Sequence, residues 1–375
     1  MVIFATIGLT YLLILILDKK TPFYSFHQKH KAKLVSFAGY TMPIQYDKGV
    51  SFEHNHVRNK AGVFDVSHMA QIMINGKSAN KLVQKITTND IDRLTDGKVQ
   101  YSCMLNSKGG IIDDLLVYRL NQESFMLVVN AANTQKDFDW ICSHNNLDVE
   151  VYNITSNKGL LAIQGPKAKD VLQKLTLLNL DDIPYYSFKI GCVASCPDVI
   201  VSNTGYTGSG GFELYFDKKY AEKIWKNLLF DPTLQPVGLA ARDTLRLEMG
   251  YCLYGNDINE NRSPIEAGLS WIVKINKDFI GKEVISQQLK TGVRDNLIGF
   301  ELIDKGVPRK GYKILDDKDN LIGEVTSGSM SPYFKKGFGM GYVKREYAQC
   351  GRNIFIAVRN KKLIAQIIKM PLYEK

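Results

Sequence analysis

The sequence predicts an α+β protein, in which a duplicated βαββα region forms two facing subdomains and is followed by a small C-terminal β-barrel. Three observations carry this expectation. A stretch beginning at Gly76 reappears at Gly165, 89 residues later. Each copy is followed by two further β-like runs and a second helical pattern, and from about Leu297 the texture turns to six short strands with Gly and Asp turns between them.

The chain of 375 residues opens with seventeen uncharged ones, ending in Leu12-Leu13-Ile14-Leu15-Ile16-Leu17, at the lower edge of membrane-spanning length. A secretory signal would start with positive charge and end in small residues, and a mitochondrial presequence would be Arg-rich, whereas the first Arg here is Arg58. Two readings are left: an N-terminal anchor, or upstream sequence read from a start codon set too early. The abrupt change at Asp18-Lys19-Lys20 favours the second. Residues 1–19 are therefore expected to be a leader outside the fold, residues 20–290 the duplicated region and residues 295–375 the barrel. Without the leader the expected location is the cytoplasm; a membrane is a partner only if the leader is a real anchor.

The first copy reads Gly76-Lys-Ser-Ala79-Asn-Lys-Leu-Val-Gln84-Lys-Ile-Thr87 and the second Gly165-Pro-Lys-Ala168-Lys-Asp-Val-Leu-Gln173-Lys-Leu-Thr176. Each follows an apolar run and opens an amphipathic pattern, with Pro166 at a favoured first helical position. Downstream, Ile111 to Leu120 and Phe125 to Asn130 read as strands before a helix at Thr134 to Cys142. In the second copy Val199 to Asn203 and Gly211 to Phe216 precede a helix at Lys218 to Leu228. Ligands commonly sit between such halves. A helical linker is expected over residues 275 to 295.

Forty-eight basic and 38 acidic side chains give a net charge of +10, which favours anionic partners. The basic residues occur in pairs at most, as at Lys335-Lys336, so the blocks of nucleic-acid-binding tails are missing and no nucleic-acid partner is expected. Six scattered cysteines do not make a disulfide scaffold and fit a reducing compartment. Cys192 and Cys196 lack the second pair that a zinc site needs.

Two acidic sites stand out. Asp113-Asp114 interrupt an apolar strand, and because side chains alternate, at least one should lie on a buried face, where a carboxylate is tolerated only if paired or functional. The plain alternative is a turn-satisfying Asp beside a hairpin. Glu213 is a second acid inside an apolar strand, able to accept parallel hydrogen bonds from an amidine-like edge such as that of a pterin or guanine. Arg242 lies among apolar residues on an expected helix, where it either meets a ligand or pairs with Asp243 or Glu248 at the surface. Thr207-Gly208-Ser209-Gly210-Gly211 lacks the Lys of a phosphate loop and is expected to be a tight hairpin turn. His54, His56 and His68 have no matching metal-ligand array.

A set of motifs then points to a family. Phe37-Ala38-Gly39-Tyr40, Phe64-Asp65-Val66-Ser67-His68-Met69, Gly109-Gly110-Ile111-Ile112-Asp113-Asp114, Gly205-Tyr206-Thr207-Gly208, Ala241-Arg242-Asp243-Thr244-Leu245-Arg246-Leu247-Glu248 and Leu253-Tyr254-Gly255-Asn256-Asp257 occur in order. Together they resemble the aminomethyltransferase, or T-protein, family of the glycine cleavage system, from about Lys20 to the C-terminus.

The resemblance implies an enzyme that takes an aminomethyl group from the lipoyl arm of H-protein. It transfers the carbon to tetrahydrofolate as cosubstrate, giving methylenetetrahydrofolate and ammonia with no metal. By the same resemblance Asp114 matches the catalytic aspartate, Glu213 the carboxylate that pairs with the pterin, and Arg242 the arginine beside the aspartate. Met69, Tyr101, Asn130 and Tyr206 match positions lining the folate pocket, with Tyr118 and Trp271 as further wall candidates. Two departures are visible: Tyr40 replaces a usual Trp, and Ser209-Gly210 stand where an acidic pair is common. The same fold also serves folate-dependent demethylases of small methylated compounds and a non-enzymatic folate-binding relative; the presence of Asp114 argues against the latter.

Overall fold

The structure, a computed structural model, describes residues 18–373. The body is built in four layers: helices, sheet, sheet, helices. One sheet orders its strands Val99–Leu105, Ile111–Asn121, Ser124–Val129, Ala70–Asn75 and Glu150–Asn153. The other orders Phe188–Val193, Cys196–Ser202, Gly211–Asp217, Lys158–Gln164, Ala61–Asp65 and Leu234–Pro236. The four strands contributed by each copy follow the same order, so the duplication read from the sequence is a duplication of topology. Each half carries one strand more than its β-like runs indicated, Val99–Leu105 in the first and Phe188–Val193 in the second, making the unit βαβββα.

The halves also exchange strands. Ala61–Asp65 precedes the first copy yet pairs with Lys158–Gln164 of the second, and Glu150–Asn153 precedes the second copy yet pairs with Ala70–Asn75 of the first. Each exchange covers an edge that would otherwise expose unpaired backbone groups.

Alternation along these strands makes three cores. On the outer face of the first sheet, Ile72, Ile74, Leu115, Val117 and Leu127 pack under helix Ala79–Ile86. On the outer face of the second, Leu161, Ile163, Leu214 and Phe216 pack under helices Ala168–Gln173 and Ala221–Leu229. Between the sheets, Met73, Tyr118 and Val128 meet Phe64, Leu160 and Tyr215, together with Ala241 and Leu245 of helix Leu239–Glu248.

The leader falls, through residue 17, outside the described residues. Lys19 and Lys20 already pair in parallel with Tyr40 and Thr41, so the fold begins at or before Lys19. Just beyond, the Thr21 hydroxyl donates to Asp65 at 2.5 Å and the Phe23 ring packs at a tilt against Trp225, docking the segment on the second half. Among the described residues no helix is long and apolar enough to cross a membrane.

Helix Lys282–Thr291 leads into the C-terminal part, where all six expected strands form a closed barrel. Phe300, Ile314, Val325, Ile356 and Ile367 fill it. Phe338 and Met340 pack on Leu247, and the Ser331 hydroxyl donates to buried Glu248 at 2.6 Å, fixing the barrel against helix Leu239–Glu248.

Candidate active site

Along strand Ile111–Asn121, Asp113 falls on the helix-covered face and Asp114 on the face between the halves. Gly110 leads in under a strand-crossing segment so close that a Cβ would lie 1.8 Å from the Glu260 carbonyl oxygen. Asp113 is fully buried. It accepts from the Asn130 backbone N–H at 2.9 Å, from Asn130 Nδ2 at 2.8 Å and from Asn133 Nδ2 at 2.7 Å.

Asp114 accepts the Tyr101 hydroxyl at 2.9 Å on Oδ2, and the same Asn130 Nδ2 at 2.9 Å on Oδ1. Burial, then the charge of Asp113, pushes its carboxyl up to about 7, with the Tyr101 and Asn130 donors pulling the other way. An acid poised near neutrality in a ligand-sized cleft is a mark of functional sites.

Across the cleft, strand Gly211–Asp217 turns Glu213 and Tyr215 inward. Glu213 Oε2 accepts from Thr204 at 2.6 Å and Tyr215 at 3.3 Å. Its other oxygen receives no donor among the described residues, and the side chain lines the cavity. Arg242 stacks over Tyr206 with its guanidinium carbon 4.7 Å from the ring centre. Its Nη1 is buried without a partner among the described residues, and burial lowers its pKa. Buried His68 likewise has an Nδ1 without a partner among the described residues; burial pushes its pKa down to about 4, so it is a neutral imidazole at pH 7.

These side chains border one cavity of about 1190 Å³ between the halves. Asp114, Met69, Tyr101, Asn130, Tyr206, Glu213, Arg242 and Trp271 all line it. Tyr118 does not: it is fully buried behind the wall, bonded to Ser202, Thr204 and Tyr215. Its place on strand Ile111–Asn121, two alternations beyond Asp114, puts it on the inner face but deeper than the cavity. Arg242 forms neither of the surface pairs that its neighbours offered; Arg246 takes Asp243 instead.

The sequence reading missed several wall residues. His68 and Tyr251 come from loops, and Arg309 and Ser329 come from the barrel, brought here only by its docking. The Gly-rich stretch expected as a tight turn is part of a longer loop between paired strands, and its Thr204, Gly205 and Tyr206 line the cavity. At the Ser209 departure, the hydroxyl accepts Arg58 Nη1 at 2.7 Å, so the arginine has a partner without an acid there. Tyr40 packs near His68, its ring centre 6.3 Å away, and does not line the cavity.

The donor set fits a folate. Glu213 keeps a free carboxylate oxygen for a planar N–H edge, Arg242 and His68 keep unpartnered nitrogens, and the aromatic pairs Tyr101–Trp271 and Tyr206–Tyr251 offer flat walls.

Duplicated α+β halves with facing acids and a barrel closing the cleft define a ligand-binding enzyme whose site lies between repeats. The chain belongs to the glycine cleavage T-protein family: residues 23–277 match its GCVT N-terminal domain and residues 296–374 its C-terminal barrel domain. Aminomethyltransferase from Flavobacterium psychrophilum is 50% identical over 361 residues, covering 95% of this chain and 100% of its own length. Its counterpart from Bacteroides thetaiotaomicron is 51% identical over 359 residues, covering 94% and 99%. The crystal structure of glycine cleavage system aminomethyltransferase T from Bartonella henselae superposes with a TM-score of 0.90 at 35% identity, covering 95% of this chain and 98% of that one.

Proposed function

We propose that this chain is a tetrahydrofolate-dependent aminomethyltransferase of the glycine cleavage system. It moves the methylene carbon from aminomethyl-dihydrolipoyl H-protein to tetrahydrofolate, breaking the bond to the arm's sulfur, with release of ammonia, formation of 5,10-methylenetetrahydrofolate and return of the arm as the dihydrolipoyl dithiol. The observation that carries the reading is the pair of acids, Asp114 and Glu213, facing one cavity from equivalent sheets of the two repeats.

When bound, tetrahydrofolate supplies the nitrogens that receive the carbon. Asp114, ionised, holds positive charge that develops on the amine or on the carbon in transit and orients the attacking nitrogen. Tyr101 and Asn130 fix the direction of its two oxygens. Glu213 accepts the planar edge of the ring system, and Thr204 and Tyr215 hold it in place. Arg242 offers Nη1 to an anionic or carbonyl group, and neutral His68 presents a ring nitrogen without adding charge. Met69, Tyr206 and Trp271 exclude water from the walls.

The partner is a lipoyl-bearing H-protein whose arm enters the same cavity, and the excess of basic residues suits an acidic partner and a polyanionic folate tail. A cytoplasmic location is part of this reading, because six cysteines without a disulfide among them suit a reducing compartment. The unit of residues 20–290 and the barrel of residues 295–375 are proposed as its two domains.

The test is single-turnover ammonia release from aminomethylated H-protein, with and without tetrahydrofolate. Folate-dependent release that falls at least about tenfold in Asp114→Asn, roughly 1.4 kcal/mol of barrier, supports the reading. Release that ignores either folate or the substitution in a folded protein sinks it.

A further inference from the structure

One ionisable group beside Asp114 has no part in this chemistry. Asp137, in the first turn of helix Thr134–Ser143, is fully buried. Neither of its carboxyl oxygens receives an N–H or hydroxyl donor among the described residues. Its carboxyl lies beside that of Asp113, whose Oδ1 accepts Asn133 Nδ2 at 2.7 Å immediately before this helix begins. Two buried carboxylates side by side, one of them without a donor, repel as anions, which favours one proton on the pair.

The surroundings decide which acid carries it. Asp113 is already surrounded by three amide N–H donors, one from the Asn130 backbone and two from the Asn130 and Asn133 side chains. Burial raises the Asp113 pKa, and those donors work against it in favour of the ionised form. Asp137 has none. The adjoining cation, Lys136, turns away: its Nζ donates to the Ile112 carbonyl at 2.8 Å, to the Tyr254 hydroxyl at 2.7 Å and to Glu260 at 3.0 Å. Asp113 and Asp114, on the strand Ile111–Asn121, add negative charge beside Asp137.

A first-turn position does favour an anion, by about 0.3–1 kcal/mol at exposed sites. Burying an unpaired carboxylate costs several kcal/mol, and this larger effect wins.

We propose that Asp137 is a permanently protonated acid that donates its proton to Asp113, and through Asp113 and the shared Asn130 amide sets the direction and charge state of Asp114. It is a positioning residue. Asp113 ionised on one side leaves Asp114 as the member of the cluster that titrates at working pH, and the Asn130 Nδ2 that bonds both acids ties the geometry of one to the other. Burial, then the Asp113 charge, raises the Asp137 pKa, in the direction this arrangement requires.

The effect on catalysis rests on Asp114 being the acting carboxylate; the protonation of Asp137 does not. The test therefore has two arms on the full-length protein. In the first, infrared spectra of protein labelled with carboxyl-13C aspartate are taken at pH 9, where Asp114 is ionised. A labelled carboxylic-acid band should persist in the wild type and be missing in Asp137→Asn. No such band, or one unchanged by the substitution, overturns the proposal.

In the second arm, the pH dependence of single-turnover ammonia release is compared. Asp137→Asn, a neutral amide of the same shape with its own N–H, should keep the wild-type limb. Asp137→Leu removes the donor, so Asp113 takes up the proton and no longer opposes the ionisation of Asp114. The limb should move down by on the order of one unit. Its rate at saturating folate should fall about tenfold with little change in KM, the pattern of an interaction made only in the transition state. If Asp137→Asn lowers the limb as Asp137→Leu does, Asp137 carries a charge and the proposal fails. Absence of folate-dependent release from the wild type would instead remove the proposed function and leave the infrared arm to decide the proton.

Discussion

Tyr118 and Tyr215 meet hydroxyl to hydroxyl at 2.8 Å, one from each repeat. The contact joins the two sheets behind the cavity, since Tyr215 also donates to Glu213 at 3.3 Å while Tyr118 reaches Ser202 at 3.0 Å and Thr204 at 3.3 Å. The carboxylate that faces the cavity from the second half is thus steadied by a side chain of the first. Duplication supplies two similar sheets; the hydroxyl network makes them one site.

Tyr118→Phe should therefore act on stability more than on binding. It leaves buried hydroxyl groups short of a partner, which costs about 1–3 kcal/mol. Urea unfolding should show that loss, while folate affinity measured by calorimetry should change less than about threefold, below 0.7 kcal/mol. A large loss of affinity with unchanged stability would put Tyr118 on the cavity wall after all.

Tyr101→Phe tests how Asp114 is tuned. Activity that needs ionised Asp114 should rise with pH through about 7. The Tyr101 hydroxyl stabilises the anion and so lowers this pKa. Its removal should shift the limb upward by about one unit, in line with a charge-assisted hydrogen bond of about 1.5–3 kcal/mol partly replaced by water. A limb that stays in place would show that Tyr101 does not bond the carboxylate in the working enzyme.

The two acids that face the cavity were legible because a lone carboxylate in an apolar, alternating strand has few structural uses. Asp114 and Glu213 both satisfy that pattern and both reach the cavity. The barrel strands were legible for a similar reason, being short apolar runs between turn residues. Val99–Leu105 and Phe188–Val193 were not, because an edge strand with one pairing partner carries polar residues such as Gln100 and Lys189 that dilute its signal. The strand exchange through Ala61–Asp65 and Glu150–Asn153 is a non-local pairing that no local pattern encodes. His68 carries no motif signal because its place in the cavity wall, with Nδ1 unpartnered among the described residues, is built by tertiary contacts.

Glu213→Gln tests the second acid. The amide keeps the shape and an oxygen, but it replaces a charged acceptor and can present an N–H where a ligand N–H arrives. Loss of one charge-assisted hydrogen bond is worth about 1.5–3 kcal/mol. Tetrahydrofolate should bind about 10- to 150-fold more weakly by calorimetry, with the midpoint of urea unfolding little changed. Unaltered affinity would remove Glu213 from the ligand contacts.

Glu248 links the halves to the barrel, and its loss should be felt in stability and in the pH dependence of stability. Its buried carboxylate accepts Arg58 Nη2 at 2.7 Å and the Ser331 hydroxyl at 2.6 Å, with His54 Nε2 3.2 Å away. Burial works to raise its pKa, but His54, Ser331 and Arg58 outweigh burial and hold it below the usual carboxylate value. A depressed carboxylate pKa contributes stability that is fully present above the unfolded-state pKa and is lost as pH falls through the folded one. Glu248→Gln should therefore cost about 3–5 kcal/mol at pH 7, the penalty for leaving buried Arg58 without its counter-ion. The gap between the two proteins in urea unfolding should narrow only below about pH 4.5, as the wild-type carboxylate itself takes up a proton. A gap that stays constant down to pH 3 would mean that the charge of Glu248 contributes nothing and that the packing of helix Leu239–Glu248 on the barrel holds the two parts together.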